Sequence, residues 1–231
     1  MILCGGLGKR LREVVYDVPK PMAKVGGKPF LSYLISSWID KGVGTFVLST
    51  GYLSKRIKDY FGDNYQGAVI KYVEEDEPLG TGGAIKKSLE SFKFKSENII
   101  ILNGDTWNNI DLQKLYSDFC KSNKSITVSI KEIVINNRYG SIRLDNNRNI
   151  IEFDEEEGGR IINTGCYLIS KSKILENLIL FNGKFSFEKD FLPILAEKKM
   201  LSASWQDHDF IDIGIPSDYY RFIKDLDRFI K

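Results

Sequence analysis

Over roughly its first 120 residues the chain alternates short apolar runs with stretches of helical periodicity, and this rhythm restricts the fold more than any other feature. Ile2–Cys4, Gly44–Thr50, Val69–Val73 and Asn98–Leu102 read as strands. After Pro29, the residues Leu31, Leu34, Ile35 and Trp38 recur at helical spacing, which predicts a helix with proline in its first turn. Ser54–Phe61 (Ser54 as N-cap), Thr81–Glu90 and Asp111–Cys120 are the other expected helices of this part. Such βαβαβα order predicts a parallel sheet covered on both faces, with ligands held at the carboxyl ends of the strands. Beyond residue 124 the pattern changes. Ser125–Glu132, Gly140–Leu144, Ile150–Phe153 and Ile161–Ser170 are strands separated by polar turns such as Asp145-Asn146-Asn147, the mark of an antiparallel lobe. A helix over Phe187–Lys198, strands Leu201–Trp205 and Phe210–Ile213, and an amphipathic helix over Pro216–Ile230 follow. With no internal repeat or low-complexity linker, residues 1–231 read as one α/β domain with a nucleotide-binding half (1–124) and a partner-substrate half (125–231).

Composition removes several function classes. A net charge of +2, with both signs interspersed, lacks the concentrated basic face of nucleic-acid binders. No run of about 18 apolar residues is present, so no membrane span is expected, and the N-terminus lacks the pattern of a secretory signal. Cys4, Cys120 and Cys166 are widely spaced and odd in number, which argues against a disulfide framework or zinc site and for a reducing cytoplasm. His208 is the sole histidine, and no Gly-x-Ser-x-Gly elbow occurs, so chemistry must rest on carboxylates, lysines, arginines and a metal.

The strand at Ile2 runs directly into Gly5-Gly6-Leu7-Gly8-Lys9-Arg10, and Val18-Pro19-Lys20-Pro21 follows. Glycines after a strand let backbone N–H groups face an anion, and a guanidinium adds a two-pronged grip, so the segment is expected to cradle a polyphosphate. It lacks the Lys-Ser/Thr ending of a Walker loop, and Leu11 stands where a dinucleotide fingerprint needs its third glycine.

The run CGGLGKRLREV…DVPKPMAKVGGKPFL resembles the N-terminal signature of sugar-1-phosphate nucleotidyltransferases, whose usual form is G-G-x-G-T-R-L…P-K-P. The resemblance continues in family order through Glu77–Ile85 (EPLGTGGAI), Leu102–Thr106 (LNGDT), Asn163/Gly165/Tyr167 and Phe210–Phe222, nearly the whole chain. The LREVV…DVPKPM form looks closest to the D-glycero-α-D-manno-heptose 1-phosphate guanylyltransferases. The resemblance implies a three-layer α/β/α Rossmann-like nucleotidyltransferase fold, with a mixed, mostly parallel central sheet and a small antiparallel sugar-binding lobe. It implies transfer of a nucleotidyl group from GTP, or another NTP, to a sugar 1-phosphate, with Mg2+ as cofactor and pyrophosphate as leaving group. The product would be a sugar nucleotide for surface polysaccharide synthesis. A homodimer is compatible with these features; a trimer built on a left-handed β-helix is not expected.

Carried onto this sequence, the family pattern makes Arg10 and Lys20 the catalytic cations. Leu3, Gly5, Gly6, Gly8, Lys9, Gly80, Thr81 and Gly104 would contact the nucleotide. Asp105 and Asp212 would bind the metal. Asp105 follows the strand Asn98–Leu102 and could instead cap the next helix; Asp212 lies between Ile211 and Ile213, so its carboxylate should point away from the core. Tyr139, Gly140, Asn163 and Glu188 match positions that touch the sugar. Two departures stand out. Lys9 replaces the usual threonine, and Glu156 occupies the place of the lysine that holds the sugar phosphate, for which Arg160 is the expected substitute, with Arg138 and Lys189 as alternatives. Guanine needs an acceptor for its N1–H and 2-amino group, and Glu77 or backbone carbonyls near Gly80 could supply it. Competing readings are a sugar-nucleotide sensor without activity, a glycosyltransferase, and an NAD-dependent oxidoreductase. Retention of Arg10, Lys20, Asp105 and Asp212 argues against the first; Asp105-Thr106-Trp107 lacks the second aspartate of the second; the missing glycine weakens the third.

Overall fold

The computed structural model describes residues 1–6, 8–134 and 139–230. The chain is α/β, as expected, and divides into two compact units, each discontinuous in sequence: 1–78, 103–109 and 209–231 form one, 79–102 and 110–208 the other.

In the first unit Ile2–Leu3 pairs in parallel with Thr45–Thr50, which pairs in parallel with Ala68–Glu74; Asn64–Tyr65 closes the edge antiparallel. The helix Phe30–Asp40 starts directly after Pro29, whose φ of −61° suits a helix entry. Ser54 opens its helix without capping it, because Leu53 takes the N-cap in left-handed conformation at φ 55°. A second pairing decides the site. Phe210–Asp212 lies antiparallel to Thr106–Asn108, with Asp212 opposite Thr106. Beneath this ribbon Trp107, Ile211 and Ile213 pack with Leu11, Val25, Phe30 and Phe222 into one core, and burial of each large side chain contributes about 1.5–3 kcal/mol. The C-terminal helix runs over Pro216–Lys224 and breaks at Asp225 before the short turn Leu226–Phe229.

In the second unit Ile161–Ser170 is antiparallel both to Asn98–Asn103 and to Ile126–Glu132, and Leu201–Trp205 joins the latter in parallel. The hairpin Gly140–Leu144/Ile150–Gly158 extends farther than the alternation suggested, since ladder pairing with register shifts carries the acidic stretch after Phe153. Residues 187–191 form a π-turn, in which the Leu192 N–H reaches back to the Phe187 carbonyl, and the α-helix Leu192–Glu197 carries Pro193 in its first turn.

The helix Lys171–Leu178 escapes sequence periodicity because its cap comes from far away. Ser170 gives it no side-chain cap; the Glu97 carboxylate accepts hydrogen bonds from Ser170 Oγ (2.8 Å), Ser172 N (2.8 Å) and Ser172 Oγ (2.6 Å). The Ser172 hydroxyl first, then its amide, hold the Glu97 carboxyl below the usual carboxylate range. A depressed folded-state value means the stabilisation is complete above the unfolded value and is lost as pH falls through the folded one. Glu97→Gln is therefore expected to cost about 1 kcal/mol at pH 7, typical of a lost cap, and the deficit should narrow near pH 3. Thermal unfolding of both proteins at the two pH values checks it; an equal deficit at both would exclude the charge as its source.

Candidate functional site

Local backbone geometry shapes the phosphate loop. Leu11 is buried in the core and anchors a tight turn through Leu11 N–H to Gly8 carbonyl, 3.0 Å. Gly8 adopts φ +58°, and a Cβ there would sit 3.0 Å from Lys20 Cβ, so this turn folds directly over Lys20. Lys20 itself begins a single 3-10 turn entered by Pro19 at φ −61° and closed by Ala23 N–H to Lys20 carbonyl, 3.0 Å. Two prolines and a closed turn restrict its backbone.

The Lys20 ammonium lies between two carboxylates. It forms an ion pair with Asp105 and stands 3.8 Å from Asp212 Oδ1. Gly104 positions Asp105: its N–H donates to the Leu3 carbonyl at 3.0 Å, and a Cβ would fall 2.5 Å from that oxygen. Ile213 N–H donates to the Asp105 carbonyl at 3.0 Å, joining both aspartates to the same ribbon. Gly214 N–H holds Asp212 Oδ1 at 2.6 Å, and a Cβ at Gly214 would meet that oxygen and Lys20 Nζ. Burial pushes the Asp105 carboxyl up, but the Lys20 charge and hydrogen bonds from Lys20 and Thr106 outweigh it and keep the group below the usual carboxylate range. Asp105 therefore serves this cluster; Asp111 caps the next helix through Lys114 N–H, 2.9 Å.

Two carboxylates converging on one cation, with glycines on either side, fit a hard divalent ion. Such an ion takes one or two carboxylates and completes its shell with phosphate and water. No group of three or more His, Cys, Asp or Glu side chains that could hold a metal occurs among the described residues.

Other predicted residues of this unit frame the cluster. Gly5 and Gly6 lie in the loop after the strand Ile2–Leu3; Arg10 is exposed on the 3-10 turn Lys9–Leu11; the Lys9 side chain and Leu7 lie outside what is described. One carboxylate here escaped sequence reading. Glu75 Oε1 lies 2.2 Å from where a Gly5 Cβ would be, so the absence of a side chain at Gly5 is what admits it. Glu75 N–H donates to the Thr50 carbonyl at 2.7 Å, and Ser49 Oγ lies 3.4 Å from Glu75 Oε1. Glu77 is exposed. The available signal was position: Glu75 directly follows the strand Ala68–Glu74, at the carboxyl edge where open sheets bind ligands.

In the second unit Gly80, Thr81, Asn163 and Glu188 are brought together. Thr81 Oγ1 donates to Glu188 Oε2 at 2.5 Å and accepts from Phe187 N–H at 2.8 Å, so Thr81 ties two helix starts together and Leu79 occupies the N-cap. Tyr167 Oη links Glu188 to Asn163. Gly80 is at φ +71°, and a Cβ would lie 2.4 Å from the Phe185 carbonyl oxygen. Gly80→Ala is expected to destabilise by about 2 kcal/mol through left-handed strain and overlap, read from the urea midpoint; an unchanged midpoint would contradict this packing. Tyr139 and Gly140 begin the hairpin, Gly140 opposite Gly158. The Arg160 guanidinium lies 3.9 Å from Glu132, on the wall of a cavity of about 560 Å³ that also includes Lys131, Trp205 and Asp207. Arg138 and the Glu156 side chain lie outside what is described. Cys4 is buried, and burial first, then Asp105, pushes its thiol far up; Cys4, Cys120 and Cys166 are all free. No helix among the described residues is long and apolar enough to cross a membrane.

Comparison with known proteins gives the family. The nucleotidyl transferase family model matches residues 1–228. A D-glycero-alpha-D-manno-heptose 1-phosphate guanylyltransferase of Aneurinibacillus thermoaerophilus is 43% identical over 234 residues, covering 100% of this chain and 99% of its own. One of the same name from Campylobacter jejuni is 42% identical over 226 residues, covering 96% and 97%. The crystal structure of HddC from Yersinia pseudotuberculosis superposes with a TM-score of 0.85 at 37% identity over 97% of both chains. The same protein complexed with GMP-PN gives 0.82. With a family match along residues 1–228 and relatives 42–43% identical over their whole length, the chain belongs to the nucleotidyl transferase family.

Proposed function

We propose that this chain transfers GMP from GTP to D-glycero-α-D-manno-heptose 1-phosphate, releasing pyrophosphate and forming a GDP-sugar. The observation that carries the reading is the Lys20 ammonium held between Asp105 and Asp212 under the Gly8 turn. The whole-length likeness to guanylyltransferases named for this heptose phosphate supports the choice of substrates.

The sugar phosphate oxygen is already anionic at neutral pH and needs no general base, which suits a chain with one histidine. It attacks the α-phosphorus in line; the α–β bridging bond breaks and pyrophosphate leaves with the electron pair. Catalysis then consists of positioning and charge neutralisation. Backbone N–H groups of Gly5, Gly6 and Gly8 face the phosphates, Arg10 grips them, and the Lys20 side chain swings from the aspartates to the α-phosphoryl oxygens. Asp105 and Asp212 would hold Mg2+, which when bound neutralises triphosphate charge and polarises the α-phosphoryl group. Asn163, Glu188, Tyr139 and Gly140 hold the sugar, and Arg160 remains the proposed substitute for the lysine lost at Glu156. Glu75 receives the guanine N1–H and 2-amino hydrogens. The setting we infer is cytoplasmic, with the GDP-sugar feeding capsule or lipopolysaccharide synthesis, and the assembly a homodimer.

Pyrophosphate release with GTP, Mg2+ and a panel of sugar 1-phosphates tests the reading. Turnover should be greatest with the heptose phosphate. No release with any sugar phosphate would overturn the assignment as an enzyme, and a preference for mannose 1-phosphate would move the substrate.

A further inference from the structure

Tyr167 has no solvent exposure and its ring packs edge-on against Phe187 at 5.2 Å, yet its hydroxyl is the hub of a polar chain. Asn163 Nδ2 lies 2.6 Å from Tyr167 Oη, and Tyr167 Oη lies 3.2 Å from Glu188 Oε1. Glu188 Oε2 accepts from Thr81 Oγ1 at 2.5 Å and from Ser186 Oγ at 3.2 Å. Asn163 Oδ1 accepts from Gly165 N–H at 2.9 Å.

The proton inventory fixes every direction in this chain. A carboxylate only accepts, so the one phenolic proton goes to Glu188. Tyr167 Oη must then accept, so Asn163 presents its NH2 there and its carbonyl to Gly165. A flipped amide would face oxygen against oxygen at one end and N–H against N–H at the other. The amide is therefore held in one orientation, leaving one Asn163 N–H as donor and a Glu188 Oε1 lone pair as acceptor. The two groups are no more than about 5.8 Å apart, because both contact one hydroxyl. Two neighbouring hydroxyls of a pyranose ring can bridge that gap, one accepting and one donating. Glu188 sits on the π-turn Phe187–Phe191, a local geometry found frequently at functional sites.

We propose that Tyr167 is a positioning residue, whose hydroxyl sets Asn163 and Glu188 as a fixed donor–acceptor pair reading two adjacent hydroxyls of the sugar 1-phosphate. This rests on the reading that Asn163 and Glu188 touch the sugar. Tyr167 does not itself contact the reacting atoms, so its removal should act selectively on sugar recognition.

Steady-state kinetics of Tyr167→Phe test it. The sugar 1-phosphate KM should rise about tenfold, while kcat and the GTP KM stay within about twofold, as for loss of one hydrogen bond to a charged group. Monodeoxy sugar 1-phosphates supply a second readout. The analogue lacking a recognised hydroxyl should lose about tenfold in kcat/KM with the parent enzyme, and only about twofold with the variant. An unchanged sugar KM, or a parallel rise in both KM values, overturns the proposal. Should Tyr167→Phe fold poorly, Thr81→Val, which removes a donor to Glu188, must raise the sugar KM, and Thr81→Ser must restore it; a Val variant with parent sugar KM overturns the proposal equally. Failure of the proposed activity looks different: the parent enzyme would release no pyrophosphate with any sugar phosphate.

Discussion

Exchange of Lys20 for methionine is expected to lower kcat about 10²- to 10³-fold, the range typical when one donor to a developing charge is lost. Methionine keeps much of the stem volume and removes only the ammonium. The same variant carries a second, independent signature. In the parent protein Lys20 stands between Asp105 and Asp212; without it the two carboxylates face each other with no cation between them. Removing one member of a fully buried ion pair costs about 3–5 kcal/mol, and partial exposure of these aspartates brings the expectation down to about 1–2 kcal/mol. For a chain of this length that corresponds to a fall in Tm of about 4 °C in metal-free buffer. Millimolar Mg2+ should recover most of that loss, because a divalent ion can take the place of the ammonium between the same oxygens. Calorimetry with and without Mg2+ reads this without any turnover. A variant whose Tm is insensitive to Mg2+ would show that Asp105 and Asp212 do not form a cation cradle.

Glu75→Gln should alter which base is used. A carboxylate accepts from both the N1–H and the 2-amino group of guanine, whereas glutamine offers one acceptor and turns an NH2 toward a donor. That mismatch leaves buried polar groups unpaired, so kcat/KM for GTP should fall about 10²-fold. ITP, which lacks the 2-amino group, separates base reading from general damage. The parent enzyme should favour GTP over ITP about tenfold, and the variant should nearly abolish that preference. Gly5→Ala supplies an independent route to the same result, since its Cβ would occupy a point 2.2 Å from the Glu75 carboxylate and displace it. If both variants keep the parent GTP/ITP ratio, the base is read elsewhere, with the backbone carbonyls near Gly80 as the next candidates.

Much of this architecture was legible in advance. Periodicity located the helix Phe30–Asp40 and the strands Thr45–Thr50 and Ala68–Glu74, because each is defined by neighbours along the chain. The phosphate loop was readable for the same reason: a left-handed turn at Gly8 and fixed backbone beside Lys20 are local properties of glycine and proline. Where a remote group intervened, sequence reasoning missed. The helix Lys171–Leu178 takes its cap from Glu97, and Thr81 bonds to Glu188 and Phe187 of a distant segment.

The residue types of a nucleotidyl-transfer site, and the βαβ frame that carries them, were determined by the sequence alone. Tertiary structure decided how distant residues meet. Asp105 and Asp212 lie about a hundred residues apart, and only the antiparallel pairing of Thr106–Asn108 with Phe210–Asp212 sets them around Lys20. That pairing exists because Trp107, Ile211 and Ile213 share one apolar core with Phe30 and Phe222. No local propensity encodes such a convergence; it follows from removing those side chains from water together.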